Sequence, residues 1–118
     1  MEQGNLEHFG AYQKSLQLYE FVVDDVFKWI RDPRCSRLAS QQLASADSIC
    51  SNIEEGFGRE STKEYRHFLV IARGSTRETA GRYSRLRHWI PEPIIEERVA
   101  LAAEIGRILT ATINRLKG

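Results

Sequence analysis

The sequence predicts an all-α protein, an up-down-up-down antiparallel four-helix bundle in one domain over residues 1–118. Three observations predict it. Apolar residues recur at alternating three and four spacing in four separate segments, the period of a helix with one buried face. No segment keeps the strict alternation of a half-buried strand. Breaks at Asp32-Pro33, Gly56-Phe57-Gly58 and Pro91 leave linkers of a few residues, which make consecutive helices antiparallel neighbours.

The first helix is expected over about 9–31. Tyr12, Leu16, Tyr19, Val23, Val26 and Ile30 form its core face, and Leu18, Val22 and Trp29 a second stripe about 100° round. Asp32-Pro33 ends it, because a residue before proline disfavours helical backbone. The second helix is expected over about 36–56, with Ser36 as N-cap. Ala39, Leu43, Ala46, Cys50, Ile53 and Phe57 make its seam, and Ile49 widens it. Gly56 and Gly58 offer the permissive backbone of a helix exit.

The third helix is expected over about 62–90 and opens on Ser61-Thr62-Lys63-Glu64, a capping box. Tyr65, Phe68, Leu69, Ala72, Thr76, Thr79, Tyr83, Leu86 and Ile90 form its core face, and Pro91 stops it. The fourth is expected over about 93–117. Pro93 suits its first turn. Glu96, Glu97, Arg115 and Lys117 complement its dipole. Leu101, Ile105, Ile108, Thr112, Ile113 and Leu116 line its inner side.

A polar stripe runs beside the apolar seam of the second helix: Gln41, Ser45, Ser48, Asn52 and Glu55. Most of these side chains are short or uncharged, where a free helical face favours lysine and glutamate. They are expected to form a polar seam against the third helix. A hairpin turning near residue 60 sets Asn52 opposite about 67 and Ser45 opposite about 74. Arg66 then reaches Asn52 or Glu55, and Arg73 reaches Ser45 or Ser48.

Leu18, Val22 and Trp29, with Val70, Gly74 and Gly81 on the third helix, are left without a partner inside one bundle. They are the candidate oligomer interface. Charge is uneven within a net +1. Residues 59–89 carry eight basic against three acidic side chains, and the remainder nine against thirteen. Arg66, Arg73, Arg77, Arg82, Arg85 and Arg87 are the candidate nucleic-acid contacts, since guanidinium suits phosphate. The competing use is pairing with acids such as Glu54, Glu55 and Glu78.

The remaining chemistry is thin. Glu64 and His67 make one E-x-x-H, where di-iron bundles use two with further glutamates. Cys35 and Cys50 have no metal-ligand spacing and read as reduced thiols. Gly56-Phe57-Gly58 lacks the following lysine and hydroxyl of a phosphate-binding loop. No catalytic residue, metal, cofactor or small-molecule substrate is expected. No apolar run nears the ~20 residues of a membrane helix. The polar N-terminal residues 1–5 lack a signal sequence, so a cytoplasmic protein is expected.

The run Ser48-Ile49, Ser51-Asn52-Ile53 and Glu55-Gly56-Phe57-Gly58-Arg59 resembles the signature of the four-helix-bundle family of 23S rRNA intervening-sequence proteins, the S23 family. Phe68-Leu69, Ile71-Ala72-Arg73-Gly74-Ser75 and Glu78 agree, as do Tyr12-Gln13-Lys14, Leu38 and Ser40-Gln41. The resemblance covers nearly the whole chain. It departs at Glu54, where alanine is usual, and at Cys50, where proline is common. Glu104 to Leu109 looks similar to a related branch, the accessory proteins of diversity-generating retroelements. These are pentameric rings that work with a reverse transcriptase and bind nucleic acid. The resemblance implies a bacterial homopentamer with an RNA, ribonucleoprotein or reverse-transcriptase partner.

Overall fold

The computed structural model describes residues 5–117 and contains four long helices: α1 (Gly10–Phe27), α2 (Ser36–Phe57), α3 (Thr62–Arg85) and α4 (Glu92–Lys117). A 3-10 turn, Leu6–His8, precedes α1. Residues 1–4, on which most of the signal-sequence reading falls, lie outside the described residues. Each helix packs on the next and α1 closes against α4, a four-helix bundle measuring 47 × 22 × 20 Å. Among the described residues there is no strand, and no helix is long and apolar enough to cross a membrane.

Two helices end earlier than their patterns suggest. α1 tightens after Phe27 into three-residue turns, with Trp29 N bonded to Val26 O and Asp32 N to Trp29 O. The turn then locks on Asp32, whose carboxylate accepts from the Arg34 amide and side chain. These donors hold that carboxyl down to about 2. α3 ends at Arg85, where Trp89 N turns back on Leu86 O ahead of Pro91. This short turn still folds Leu86 and Ile90 into the core. At α2 the N-cap position is Cys35 rather than Ser36, and it makes no side-chain cap. The serine half of the α3 capping box forms, the Glu64 amide donating to Ser61 Oγ, while the Glu64 carboxylate reaches back to accept from the Ser61 hydroxyl.

The core faces of α2 and α3 follow the apolar patterns closely. α4 buries Ile105, Thr112 and Ile113 as expected, but leaves Leu101, Ile108 and Leu116 half-buried and buries Ile95, Ala102 and Leu109. α1 is rotated by about one residue. Its buried side chains are Ala11, Ser15, Leu18, Val22 and Val26. Leu16, assigned to the core by its spacing, is 42% exposed. Both stripes of α1 are apolar, so the neighbours decide. Ala11 and Ser15 are small enough for close packing, and Ser15 Oγ meets Cys50 Sγ at 3.5 Å. The buried stripe also carries Asp25 inward. Its carboxylate accepts from Tyr83 Oη at 2.7 Å and from Arg98 Nε and Nη2 at 2.9 and 3.3 Å. Arg98 also covers the Phe21 ring at 3.8 Å. This ion pair ties α1 to α3 and α4, and losing one partner of such a buried pair costs about 3–5 kcal/mol. Tyr12 stays at the rim, its hydroxyl donating to Glu54 Oε2 at 2.6 Å.

Gly56 sets how α2 and α3 meet. It is buried inside α2, and a Cβ there would stand 2.7 Å from Phe68 Cβ. Gly58 ends the helix at φ −80°, so no left-handed residue is needed at this exit. The glycine that matters serves close approach rather than a special backbone angle. With Gly56 against Phe68, Ser48 pairs with Ser75 at 2.9 Å and Ser45 with Thr79 at 2.8 Å. Gln42 Nε2 donates to the Thr79 carbonyl at 2.8 Å. The two helices are thus offset by about one helical turn from a register set by the loop midpoint alone.

Three outcomes test this account. Leu18→Ala should cost about 2–5 kcal/mol in urea unfolding, whereas Leu16→Ala should stay within about 0.5 in the chain diluted to a single copy. Gly56→Ala should lower stability by about 1–3 kcal/mol despite alanine's better helix propensity, because the Phe68 Cβ cannot swing away. Gly74→Ala, which meets nothing within 4 Å, should raise it by up to about 1 kcal/mol. The third outcome concerns alkali. The Glu54 carboxylate that accepts its hydroxyl pushes Tyr12 up to about 12, and burial together with Asp25 pushes Tyr83 up as well. Both phenols bind their proton more tightly folded than unfolded, where tyrosine titrates near ~10. Their contribution is complete below that pH and is lost as pH rises through the folded values. The urea midpoint should fall from about pH 10 upward, and the Tyr12→Phe/Tyr83→Phe pair should flatten that fall.

Candidate functional site

The expected polar seam exists between α2 and α3, with its ends moved. Ser45, Ser48 and Asn52 belong to it: beyond the pairs above, Asn52 Nδ2 donates to Ser48 O at 2.8 Å and to Ser48 Oγ at 3.0 Å. Gln41 is exposed, and the fully buried Gln42 takes its place. Glu55 is also exposed and pairs within α2 and its exit with Arg59. A satisfied network of neutral side chains fixes register at little desolvation cost.

The arginines divide by their position round α3. Arg73 does not reach Ser45 or Ser48. It faces α4 and donates to Thr110 Oγ1 at 3.2 Å. Arg82 joins the seam instead, its Nη1 donating to Ser45 Oγ at 2.9 Å and Gln42 Oε1 at 3.0 Å. Arg82 therefore turns to α2 rather than pairing with Glu78 along its own helix. Its oxygens there are all neutral, and desolvation pulls its guanidinium down. Arg66 makes no bond to Asn52 or Glu55, and its Nε is buried without a partner. Arg77, Arg85 and Arg87 are exposed. Among the described residues none of these six arginines forms a salt bridge.

Arg73 and Arg77 line a groove of about 570 Å³ between α3 and α4. Its floor is built from small side chains, Thr76, Ala80, Ala102, Gly106 and Thr110, and Arg107 closes the far wall. The three arginines are its only ionisable lining groups. The groove was not legible in the sequence, because its α3 and α4 halves are each unremarkable until register brings them together. Its one signal was the run of alanines with Gly106 on one side of α4.

The candidate oligomer residues need correction. Leu18 and Val22 are fully buried inside the single chain and cannot face a partner. Trp29 is half-buried and packs against the core. Val70 is 36% exposed, with Gly74 and Gly81 half-buried near it along α3. The rotation of α1 instead leaves Leu16 and Phe27 outside, Phe27 at 75% exposure, with Val23 half-buried in the same row.

His67 and Glu64 lie exposed on α3, and among the described residues no three His, Cys, Asp or Glu side chains gather as a metal site. Cys35 and Cys50 are free and buried, and burial pushes both thiols up. The groove's hydroxyls are both engaged, Thr76 donating to the Ala72 carbonyl and Thr110 accepting from Arg73.

The chain is similar to a solved structure from Bacteroides thetaiotaomicron, described as a protein with unknown function from the S23 ribosomal protein family. The two share 24% identity with a TM-score of 0.81, covering 87% of this chain and 97% of that one. At this identity the likeness speaks to the fold. No curated protein matches. The family model described as 23S rRNA-intervening sequence protein matches residues 7–111, nearly the whole bundle. With α1 to α3, most of α4, the Gly56 contact and the α2–α3 seam inside that span, the chain belongs to the 23S rRNA-intervening sequence protein family.

Proposed function

We propose that the chain is a non-enzymatic, homo-oligomeric binding module of the cytoplasm that holds RNA, or an RNA–protein partner, through the arginines of α3. The observation that carries this reading is their lack of carboxylates. The chain has sixteen Asp and Glu, yet Arg66, Arg73, Arg77, Arg82, Arg85 and Arg87 pair with none of them among the described residues. Guanidinium groups left without an internal carboxylate suit phosphate oxygens, which accept their paired donors side by side. The family's description, tied to 23S rRNA, supports RNA as the source of those phosphates. A groove with arginines as its only ionisable groups supports binding over catalysis.

A second reading, self-assembly without nucleic acid, is favoured by a different observation. Leu16 and Phe27 stand exposed on α1, and a small-residue groove lies open on another face. Assembly into a homopentamer is compatible with either reading, and a light-scattering mass decides the copy number.

The two separate by salt. Binding of a structured RNA, followed by fluorescence anisotropy, should weaken steeply between about 50 and 200 mM salt. Arg85→Gln/Arg87→Gln should lower the slope of log affinity against log salt by roughly 2. Absence of binding even at low salt rejects the RNA role and leaves assembly alone.

A further inference from the structure

Two features of the chain fit each other, and neither has a partner within it. The first is the outer row of α1. Gln13, Leu16, Glu20, Val23 and Phe27 follow at three-four spacing and so share one helical face, with Asp24 beside it. Leu16 and Phe27 are exposed apolar side chains, and Glu20 and Asp24 are exposed acids that form no salt bridge. The second is the α3–α4 groove, with its floor of small residues and Arg73, Arg77 and Arg107 on its walls. A Cβ built on Gly106 meets nothing within 4 Å, so the floor is open.

We propose that α1 of a second copy of this chain lies in the α3–α4 groove, with its Leu16–Val23–Phe27 row on the floor and Glu20 and Asp24 against Arg73, Arg77 and Arg107. This inference rests on the oligomeric part of the reading above and names its surface. Small side chains let a helix settle at the 8–10 Å spacing of packed helices. The acids of the row meet a groove that has three arginines and no acid among its lining residues, so the charges are complementary. A nucleic-acid strand would satisfy the arginines but leave the apolar floor and the Phe27 row without use. The arginines of the seam and of the α3 end, Arg82, Arg85 and Arg87, stay outside the contact.

The two patches differ and lie on different helices, so the contact is head-to-tail. Such contacts close into a ring or run on as a filament, and each copy both gives α1 and receives one.

Charge swapping on exposed positions tests this without disturbing the core. Glu20→Arg and Arg77→Glu are each made in the full chain, free of RNA, and association is followed by light scattering and sedimentation across a dilution series. Each reversal alone should weaken association roughly tenfold or more, and both together should restore most of it, because the swapped charges meet again across the contact. Phe27→Ala should weaken it with no rescue by either. An unmodified protein that stays at the mass of one chain at high micromolar concentration overturns the oligomeric reading itself. An oligomer insensitive to all three changes leaves that reading standing and overturns the groove as its seat.

Discussion

The absence of a side chain at Gly56 governs this bundle. Phe68 fills the space a Cβ would take, and this contact fixes how far α3 slides along α2. From that register follow the Ser48–Ser75 and Ser45–Thr79 pairs and the bond from Gln42 to the Thr79 carbonyl. Position round α3 decides which arginine looks where, since Arg82 lies about 180° from Arg73. Arg82 is carried to the α2 side, while Arg73 and Arg77 are carried to the α4 side and become the wall of a groove. A slide of α3 along α2 would change only which α2 residues each of them meets.

The bundle handles its buried polar groups in two ways. The α2–α3 seam is built mainly from neutral hydroxyls and amides, and the charge it takes in, Arg82, is met there by neutral oxygens. The opposite corner uses a charged pair, Asp25 with Arg98, whose side chains are 7% and 12% exposed. There the cost of desolvation is met by a forked contact, a tyrosine hydroxyl and an aromatic face for the guanidinium. The pair holds α1 in its rotation. Turning α1 back to bury Leu16 would lift Asp25 away from Arg98 and Tyr83.

That rotation explains what the sequence could and could not disclose. α2, α3 and α4 each carry one dominant apolar stripe, so Ile53, Leu69 and Ile105 were legible as core from spacing alone. α1 carries two stripes of similar hydrophobicity, and periodicity has no means to rank them. The deciding facts are tertiary: small residues Ala11 and Ser15 beside α2, and the arginine waiting for Asp25 on α4. The polar seam was legible through Ser45, Ser48 and Asn52, whose short side chains mark a contact. Its partners on α3 were not, since counting back from the loop ignores the slide that Gly56 permits. The groove was illegible for the same reason, being a product of register between two helices.

The arginines can now be divided by what surrounds them. A guanidinium gains most from an anion where water is already partly excluded and its remaining donors are fixed in direction. Arg73 meets that condition beside the apolar floor of the groove, where a helix carrying both carboxylates and an aromatic row satisfies floor and wall together. Arg85 and Arg87 sit exposed at the far end of α3, where no apolar surface adjoins them to reward a protein partner. A flexible, highly charged polymer needs no such surface, because its affinity comes from phosphate neutralisation and counterion release. In the proposed function, assembly and RNA contact therefore draw on different arginines. A ring that joined copies through the groove would repeat the outer arginine cluster once per copy, and repetition raises the effective concentration of each phosphate site beside the next. Under the proposed function, a chain with a net charge of only +1 would in that way present a concentrated positive field to RNA.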